Sequence, residues 1–128
     1  MELHASREDY LEAILVLRQA KGMVRACDVA AHMGYSRASI TYAVTELRNK
    51  GLVERDQGMF LYLTAAGQEI ATRIYARHCF FRERLVALGV APDTAEKEAC
   101  ELEHAISQDT FERLRAAYEK GWVEGAGK

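Results

Sequence analysis

The stretch Ala26-Cys27-Asp28-Val29-Ala30-Ala31-His32-Met33-Gly34-Tyr35-Ser36-Arg37-Ala38-Ser39-Ile40-Thr41-Tyr42-Ala43-Val44-Thr45-Glu46-Leu47-Arg48-Asn49-Lys50-Gly51 decides the fold. A short helix is expected from about Ala26 to Met33, closed by a turn at Gly34-Tyr35. Ser36 then caps a longer helix from Arg37 to about Lys50. Ile40, Val44 and Leu47 recur on the inward face of that helix, and Gly51 is its stop. Upstream, Ser6 to Ala20 reads as a helix. Ser6 is its expected N-cap, with Asp9 completing a capping box three residues on. Tyr10, Ile14 and Leu17, with Leu11 and Leu15 beside them, form its apolar stripe, and Gly22 ends it. Downstream, Leu52-Val53-Glu54-Arg55 and Phe60-Leu61-Tyr62-Leu63 are strand-like, joined by the loop Asp56-Gln57-Gly58-Met59. A helix, a short helix, a turn, a third helix and a hairpin make a winged helix-turn-helix. The third helix of such a unit is narrow enough to enter a DNA major groove.

The exposed face of that third helix offers Ser36, Arg37, Ser39, Thr41 and Tyr42 as candidate DNA-contacting residues. Hydroxyls bond to base edges or phosphates, and an arginine makes a bidentate contact to guanine or neutralises a phosphate. Arg48 and Lys50 are candidates for the backbone, and Arg55 sits at the base of the wing. The bland alternative is a small helix–hairpin fold with a solvated face. The charge balance does not strengthen the DNA reading. Seventeen basic and nineteen acidic residues give a net charge of −2, with 8 of each sign in residues 1–64, and 9 basic against 11 acidic in residues 65–128. A dimer would double the phosphate contacts and offset this.

The second half reads as wholly helical. Thr64 caps a helix from Ala65 to about Leu88 that Gly89 breaks. Pro92-Asp93 opens another through about Ile106, and Ser107 caps a last one from Gln108 to about Lys120. The glycine-rich end from Gly121 reads as a frayed tail. The fold class expected is mainly α, with a winged helix-turn-helix domain over residues 1–64 and a helical domain over residues 65–128. At 128 residues the chain is one domain or two very small ones. Three cysteines, Cys27, Cys79 and Cys100, do not make a disulfide framework and fit a reducing cytoplasm. No signal peptide and no membrane span are expected.

Cys100, Glu103 and His104 stand at i, i+3 and i+4, which places them on one face of the predicted helix. A thiolate, a carboxylate and an imidazole are ligands for a divalent transition metal. His78 lies midway along the preceding helix, and Asp9 and Glu12 sit one turn apart on the first. Each has a bland alternative. Asp9 and Glu12 are also first-turn acids that favour the helix dipole. His78 alone reads as an interior histidine, and Cys100 alone as a small buried apolar residue. Phe80, Phe81, Leu85, Leu88, Leu102 and Ile106 are candidates for a dimer interface or simply for the core.

Five ordered stretches resemble the diphtheria-toxin-repressor and manganese-transport-regulator family (DtxR/MntR). They are Ser6-Arg7-Glu8-Asp9-Tyr10-Leu11-Glu12-Ala13-Ile14, Tyr35-Ser36-Arg37-Ala38-Ser39-Ile40-Thr41, Leu61-Tyr62-Leu63-Thr64-Ala65-Ala66-Gly67, Ala76-Arg77-His78 and Glu98-Ala99-Cys100-Glu101-Leu102-Glu103-His104-Ala105-Ile106-Ser107. The resemblance implies a metal-activated, dimeric DNA-binding regulator, most often a repressor, with a helical metal-binding and dimerisation domain. The chain is similar in size to members without an SH3-like domain. The resemblance implies a metal site of Asp9, Glu12, His78, Cys100, Glu103 and His104. Five of these match the manganese-responsive class, whereas Cys100 stands where that class has Glu and matches the iron-responsive class. The iron class in turn has Met where this chain has Asp9. The iron class also has an ancillary site, whose carboxylate aligns with Arg82 and whose second histidine aligns with Glu96. That site is therefore not expected in its usual form.

Carboxylates and imidazoles suit Mn²⁺, and a thiolate favours the softer Fe²⁺, Co²⁺ or Zn²⁺. The expected activator is Fe²⁺ or Mn²⁺, with Zn²⁺ or Co²⁺ substituting in vitro. The expected partners are palindromic double-stranded operator DNA and a second copy of the chain. The alternative is a winged-helix factor that senses a small molecule or oxidant without metal. The sequence offers no Gly-rich phosphate loop, no His-Glu-x-x-His pattern and no nucleophile–base pair, so an enzyme is not expected. A metal ringed by six protein ligands would also lack the open position that catalysis needs.

Overall fold

A computed structural model describes residues 4–121. Trp122 and the tail after it lie outside the described residues, as does most of the glycine-rich end. In chain order the elements are α1 (Ala5–Lys21), α2 (Ala26–Met33), α3 (Arg37–Asn49), β1 (Val53–Arg55), β2 (Leu61–Leu63), α4 (Ala65–Ala87), α5 (Pro92–Leu102) and α6 (Gln108–Glu119). The chain divides into two compact units, one ending at Tyr75 and one beginning at Ala76, with α4 running through both. Among the described residues, no helix is long and apolar enough to cross a membrane.

The N-terminal unit is built on an aliphatic core. Leu11, Ile14, Val24, Val29, Ile40, Leu47, Leu52, Val53 and Leu61 are all at most 2% exposed. Most come from the stripes that the helical and strand spacing set out, while Val24, in the α1–α2 loop, and Val29, on α2, add to them. Ser6 is not the N-cap of α1. The His4 carbonyl accepts from the Arg7 and Glu8 amides at 3.0 and 3.1 Å, so the helix begins at Ala5 and Ser6 lies inside its first turn. Asp9 then lies too far along to complete a capping box. In this half of the chain the expected serine and threonine caps further on are formed: Ser36 Oγ accepts from the Ser39 amide at 3.1 Å and Thr64 Oγ1 from the Gly67 amide at 3.1 Å. Asp28 caps α2 from within, accepting the Arg25 amide at 2.8 Å and Lys21 Nζ at 2.9 Å.

The hairpin is shorter than its apolar residues suggest. Leu52 and Phe60 lie outside the paired strands, whose register is Val53 to Leu63, Glu54 to Tyr62 and Arg55 to Leu61. Phe60 instead bridges back to Arg25, whose guanidinium carbon lies 4.1 Å from the centre of the Phe60 ring. Asp56 organises the loop by accepting from the Phe60 amide and the Tyr62 hydroxyl, both at 2.9 Å. Arg18 of α1 donates to the Leu61 carbonyl at 3.1 Å and lies over the Tyr62 ring, which fixes the wing against the first helix. Gly67 is required by packing. A Cβ there would stand 2.0 Å from the Leu52 carbonyl oxygen, well inside van der Waals contact.

The C-terminal unit has few large apolar residues at its centre. Ala95 and Ala99 of α5 are fully buried, and Phe111 of α6 is 1% exposed. Alanines let α5 approach its neighbours closely. Alongside them lie three buried charged or polar side chains, Arg77, His78 and Glu103. Ser107 caps α6 by accepting from the Thr110 amide at 3.0 Å. Helix α5 ends at Leu102, four residues before the expected Ile106. The cause is Arg77, which donates to the carbonyls of Glu103 at 2.9 Å and Ile106 at 2.7 Å, and to Gln108 Oε1 at 2.9 Å. A single guanidinium thus satisfies carbonyls that the last helical turn leaves over, and the chain can turn without orphaning them.

Candidate metal centre and nucleic-acid interface

The early end of α5 changes how the ligand triad is presented. Cys100 is helical, Glu103 is the C-cap residue and His104 lies in the turn beyond, so the three do not share one face of a continuous helix. They still converge, because Glu103 keeps near-helical backbone angles and its amide still bonds to the Ala99 carbonyl at 3.0 Å. His78 comes to meet them from α4. Ligand atoms of His78, Cys100 and Glu103 all lie within 4.8 Å of one another. His78 Nδ1 is 2.9 Å from Glu103 Oε1 and 3.6 Å from Cys100 Sγ. His104 Nε2 is 3.3 Å from the other oxygen, Glu103 Oε2.

Glu103 is the centre of this arrangement, since its side chain is fully buried. A carboxylate in that position is costly unless positive charge faces it. In the protein alone that charge is a proton. The Cys100 sulfur and then the Glu103 carboxylate beside it push the His78 imidazole up from 6.5 to about 11. The cluster therefore holds a protonated imidazole against the buried carboxylate, with the Cys100 sulfur beside it. A divalent metal fits the same place. The donors are sulfur, oxygen and nitrogen, and they suit a first-row transition ion. Asp9 and Glu12, the other two ligands expected from the sequence, lie one turn apart on α1 in the N-terminal unit. The residue that sequence reading missed is Arg77. Its guanidinium shapes the turn that carries Glu103 and His104, and only its position next to His78 hinted at a role.

The candidate DNA-contacting residues Ser36, Arg37, Ser39, Thr41 and Tyr42 are all exposed on α3. Tyr42 is 68% exposed, far more than a core aromatic would be. Arg7 reaches from α1 to brace this surface. It pairs with Glu46 at 2.7 Å and its guanidinium lies over the rings of both Tyr10 and Tyr42. The start of α3 also borders a concavity of about 240 Å³ that contains Arg25, Arg37 and Arg55. A second hollow runs between the end of α3 and β1, with Arg48 and Arg55 on its walls. Basic residues thus cluster on both flanks of α3, although the net charge of the chain is negative.

In the C-terminal unit, Phe80, Phe81, Leu88, Leu114 and Tyr118 line an apolar cavity of about 310 Å³. Leu88 is 80% exposed and Leu102 is 38% exposed, while Phe80, Phe81, Leu85 and Ile106 are half-buried. Arg84 lies over the Phe80 and Tyr118 rings at the edge of this face.

Comparison with known proteins also divides the chain in two, between residues 58 and 64, ahead of α4. Residues 2–58 match the model of the iron dependent repressor N-terminal DNA binding domain. Residues 64–120 match that of the iron dependent repressor metal binding and dimerisation domain. The transcriptional regulator MntR of Escherichia coli is 32% identical over 113 residues, which cover 88% of this chain and 73% of that one. The structure of the manganese regulator SloR superimposes with a TM-score of 0.78 at 29% identity, over 88% of this chain and 53% of that one. A manganese-dependent transcriptional repressor in complex with manganese gives 0.76 at 30% identity, over 86% and 51%. The chain thus spans about half the length of these solved structures. With both halves matched in order and a relative this similar over most of its length, the chain belongs to the iron-dependent repressor family of DNA-binding transcriptional regulators.

Proposed function

We propose that this protein is a metal-responsive transcriptional repressor that binds operator DNA as a homodimer when loaded with Fe²⁺ or Mn²⁺. The observation that carries this reading is the buried Glu103 carboxylate, faced by His78, Cys100 and His104 in a chain that also carries a winged helix. The ligands are His78, Cys100, Glu103 and His104, joined by Asp9 and Glu12 on the strength of their match to the family's motif. A bound metal would supply positive charge in place of the His78 proton, held by the Cys100 sulfur, the imidazoles and the carboxylates. The domain boundary is placed at Thr64, with reading of DNA before it and metal binding and dimerisation after it. Ser36, Arg37, Ser39, Thr41 and Tyr42 contact the DNA. The face around Phe80, Leu88 and Tyr118 supports the dimer.

Coupling follows from where the proposed ligands reside. Asp9 and Glu12 belong to a helix of the DNA-reading unit, and the rest belong to the other unit. Shared ligation removes orientational freedom that DNA binding would otherwise have to remove, which makes the two binding events favour each other. A two-fold dimer would read a palindrome with half-sites about one helical turn, or a multiple of it, apart.

Fluorescence anisotropy of labelled duplex DNA, enriched from a random pool, tests this reading. Chelator, Mn²⁺, anaerobic Fe²⁺, Co²⁺ and Zn²⁺ are compared, with Glu103→Ala as control. Tight binding only with metal, lost in the control, is expected. Equal binding with chelator and with every metal would overturn it.

A further inference from the structure

His78 is held from both sides. Its Nδ1 edge faces the ligand cluster, with Glu103 Oε1 at 2.9 Å and Cys100 Sγ at 3.6 Å. Its Nε2 edge faces Glu96 Oε2, also at 2.9 Å. Glu96 comes from α5, one turn before Cys100, and its other oxygen lies 3.6 Å from Arg82 Nε on α4. Arg82 itself stands one turn after His78. Two helices therefore each contribute one residue to the cluster and one to a chain running Arg82, Glu96, His78.

We propose that Glu96 is the positioning residue for His78 and that Arg82 is its holder. Glu96 accepts a hydrogen bond from the Nε2–H, so that a metal taking the place of the other ring proton would meet the Nδ1 lone pair. A neutral imidazole has one donor and one acceptor nitrogen, and the partner of one nitrogen sets the role of the other. A carboxylate behind a ligating imidazole also raises its basicity. Arg82 offsets the charge of Glu96, which makes that edge less attractive to a second cation. The ion pair itself is surface-exposed, with Arg82 42% and Glu96 56% exposed, and adds little to stability. Its contribution is orientation.

The inference rests on the metal-binding reading above, and the experiment separates the two. The full chain, labelled with ¹⁵N-histidine, is titrated with Zn²⁺, which is diamagnetic. Affinity is followed by calorimetry, and the His78 ring by imidazole ¹H–¹⁵N correlation spectra. In the loaded wild type a slowly exchanging proton is expected on His78 Nε2. Glu96→Leu should lose that signal and weaken Zn²⁺ binding roughly 10–100-fold, as removal of such a partner does. Glu96→Gln keeps a neutral acceptor and should keep the signal, with a smaller loss of affinity. Arg82→Ala should broaden the signal with the smallest loss. Zn²⁺ bound at Nε2 in the wild type, or Glu96→Leu with unchanged affinity and spectrum, would overturn the inference while leaving the metal site standing. A wild type that binds no Zn²⁺, Mn²⁺ or Fe²⁺ would overturn both.

Discussion

The two units of this chain are held together by different physics. The N-terminal unit buries aliphatic side chains from three helices and two strands, and among its described residues none of the fully buried ones carries a charge. The C-terminal unit buries two alanines and one phenylalanine beside an arginine, a histidine and a glutamate. Burying apolar surface is favourable wherever it occurs, at roughly 25 cal/mol per Å². Burying charge is unfavourable unless every charge is matched. The first unit therefore forms its shape without help, as a reading head must. The second depends on positive charge facing Glu103, which His78 supplies in the protein alone and which a metal would supply in the proposed loaded state, and that makes it responsive. In this comparison the reading head is built to be invariant and the helical unit to be conditional.

The largest expected effect strikes the invariant side. Leu47 is fully buried on the inner face of α3. Leu47→Ala removes the apolar centre of the reading head and should cost roughly 2–5 kcal/mol in denaturant unfolding. Added metal should recover little of that loss in hydrogen exchange at α2 and α3, which carry none of the proposed ligands. A variant whose α2–α3 exchange is fully restored by metal would erase the distinction between the two units.

On the conditional side the corresponding change is Arg77→Leu. It leaves the Glu103 and Ile106 carbonyls without their donor, and an unsatisfied buried polar group costs about 1–3 kcal/mol. The expected signature is double: a lower melting temperature, and weaker Mn²⁺ binding because the Glu103–Ile106 turn loses its shape. Arg77→Lys should recover only part of both, since a point charge cannot span two carbonyls and Gln108. Loss of stability with metal affinity intact would reduce Arg77 to a packing residue.

These two residues also mark how far the fold and site are legible in the chain. The buried face of α3 is read directly from periodicity, because Ile40, Val44 and Leu47 repeat at helical spacing and local pattern and burial agree. The chemistry of Cys100, Glu103 and His104 is equally visible as residue types. Their presentation is not, because it depends on where α5 stops, and α5 is stopped by a side chain 26 residues upstream. No glycine or proline stands between Cys100 and Ile106 to mark the end. The start of α1 fails for a related reason. Ser6 carries a strong capping preference, but the backbone of His4 already closes the first turn. Position 67 gives a further instance, in which the glycine is dictated by the Leu52 carbonyl on a neighbouring segment.

A ligand effect sharpens the contrast more gently. Saturating metal should stabilise the protein by about 2.7 kcal/mol when free metal is 100 times its dissociation constant. In hydrogen exchange the added protection should concentrate around Asp9 and Glu12 on α1 and in residues 76–82 and 95–107, around His78 and Glu103, and be slight in the wing. Uniform protection across residues 4–121 would mean that the two units open together, and the division into invariant and conditional parts would fail.

Acid gives the smallest effect, and it falls on the opposite unit. Three carboxylates of the N-terminal unit are held below their ordinary range. The Arg25 amide and Lys21 lower Asp28, the Arg7 guanidinium lowers Glu46, and the Phe60 amide and Tyr62 hydroxyl lower Asp56. A group more acidic in the folded state stabilises that state above its unfolded value, and the gain is lost as pH falls through its folded value. The wing and the start of α2 should therefore loosen below about pH 4, where the unfolded carboxylates take up protons. All three groups are at the surface, so the shift in melting temperature should be modest and should shrink further in high salt, where surface charge is screened. Asp56→Asn is the sharpest variant, because it keeps an acceptor for the Phe60 amide but removes the titration. Its wing should lose less stability between pH 6 and about pH 3 than the wild type does. An identical acid profile in this variant would show that the loop is held by its backbone bonds and not by the Asp56 charge.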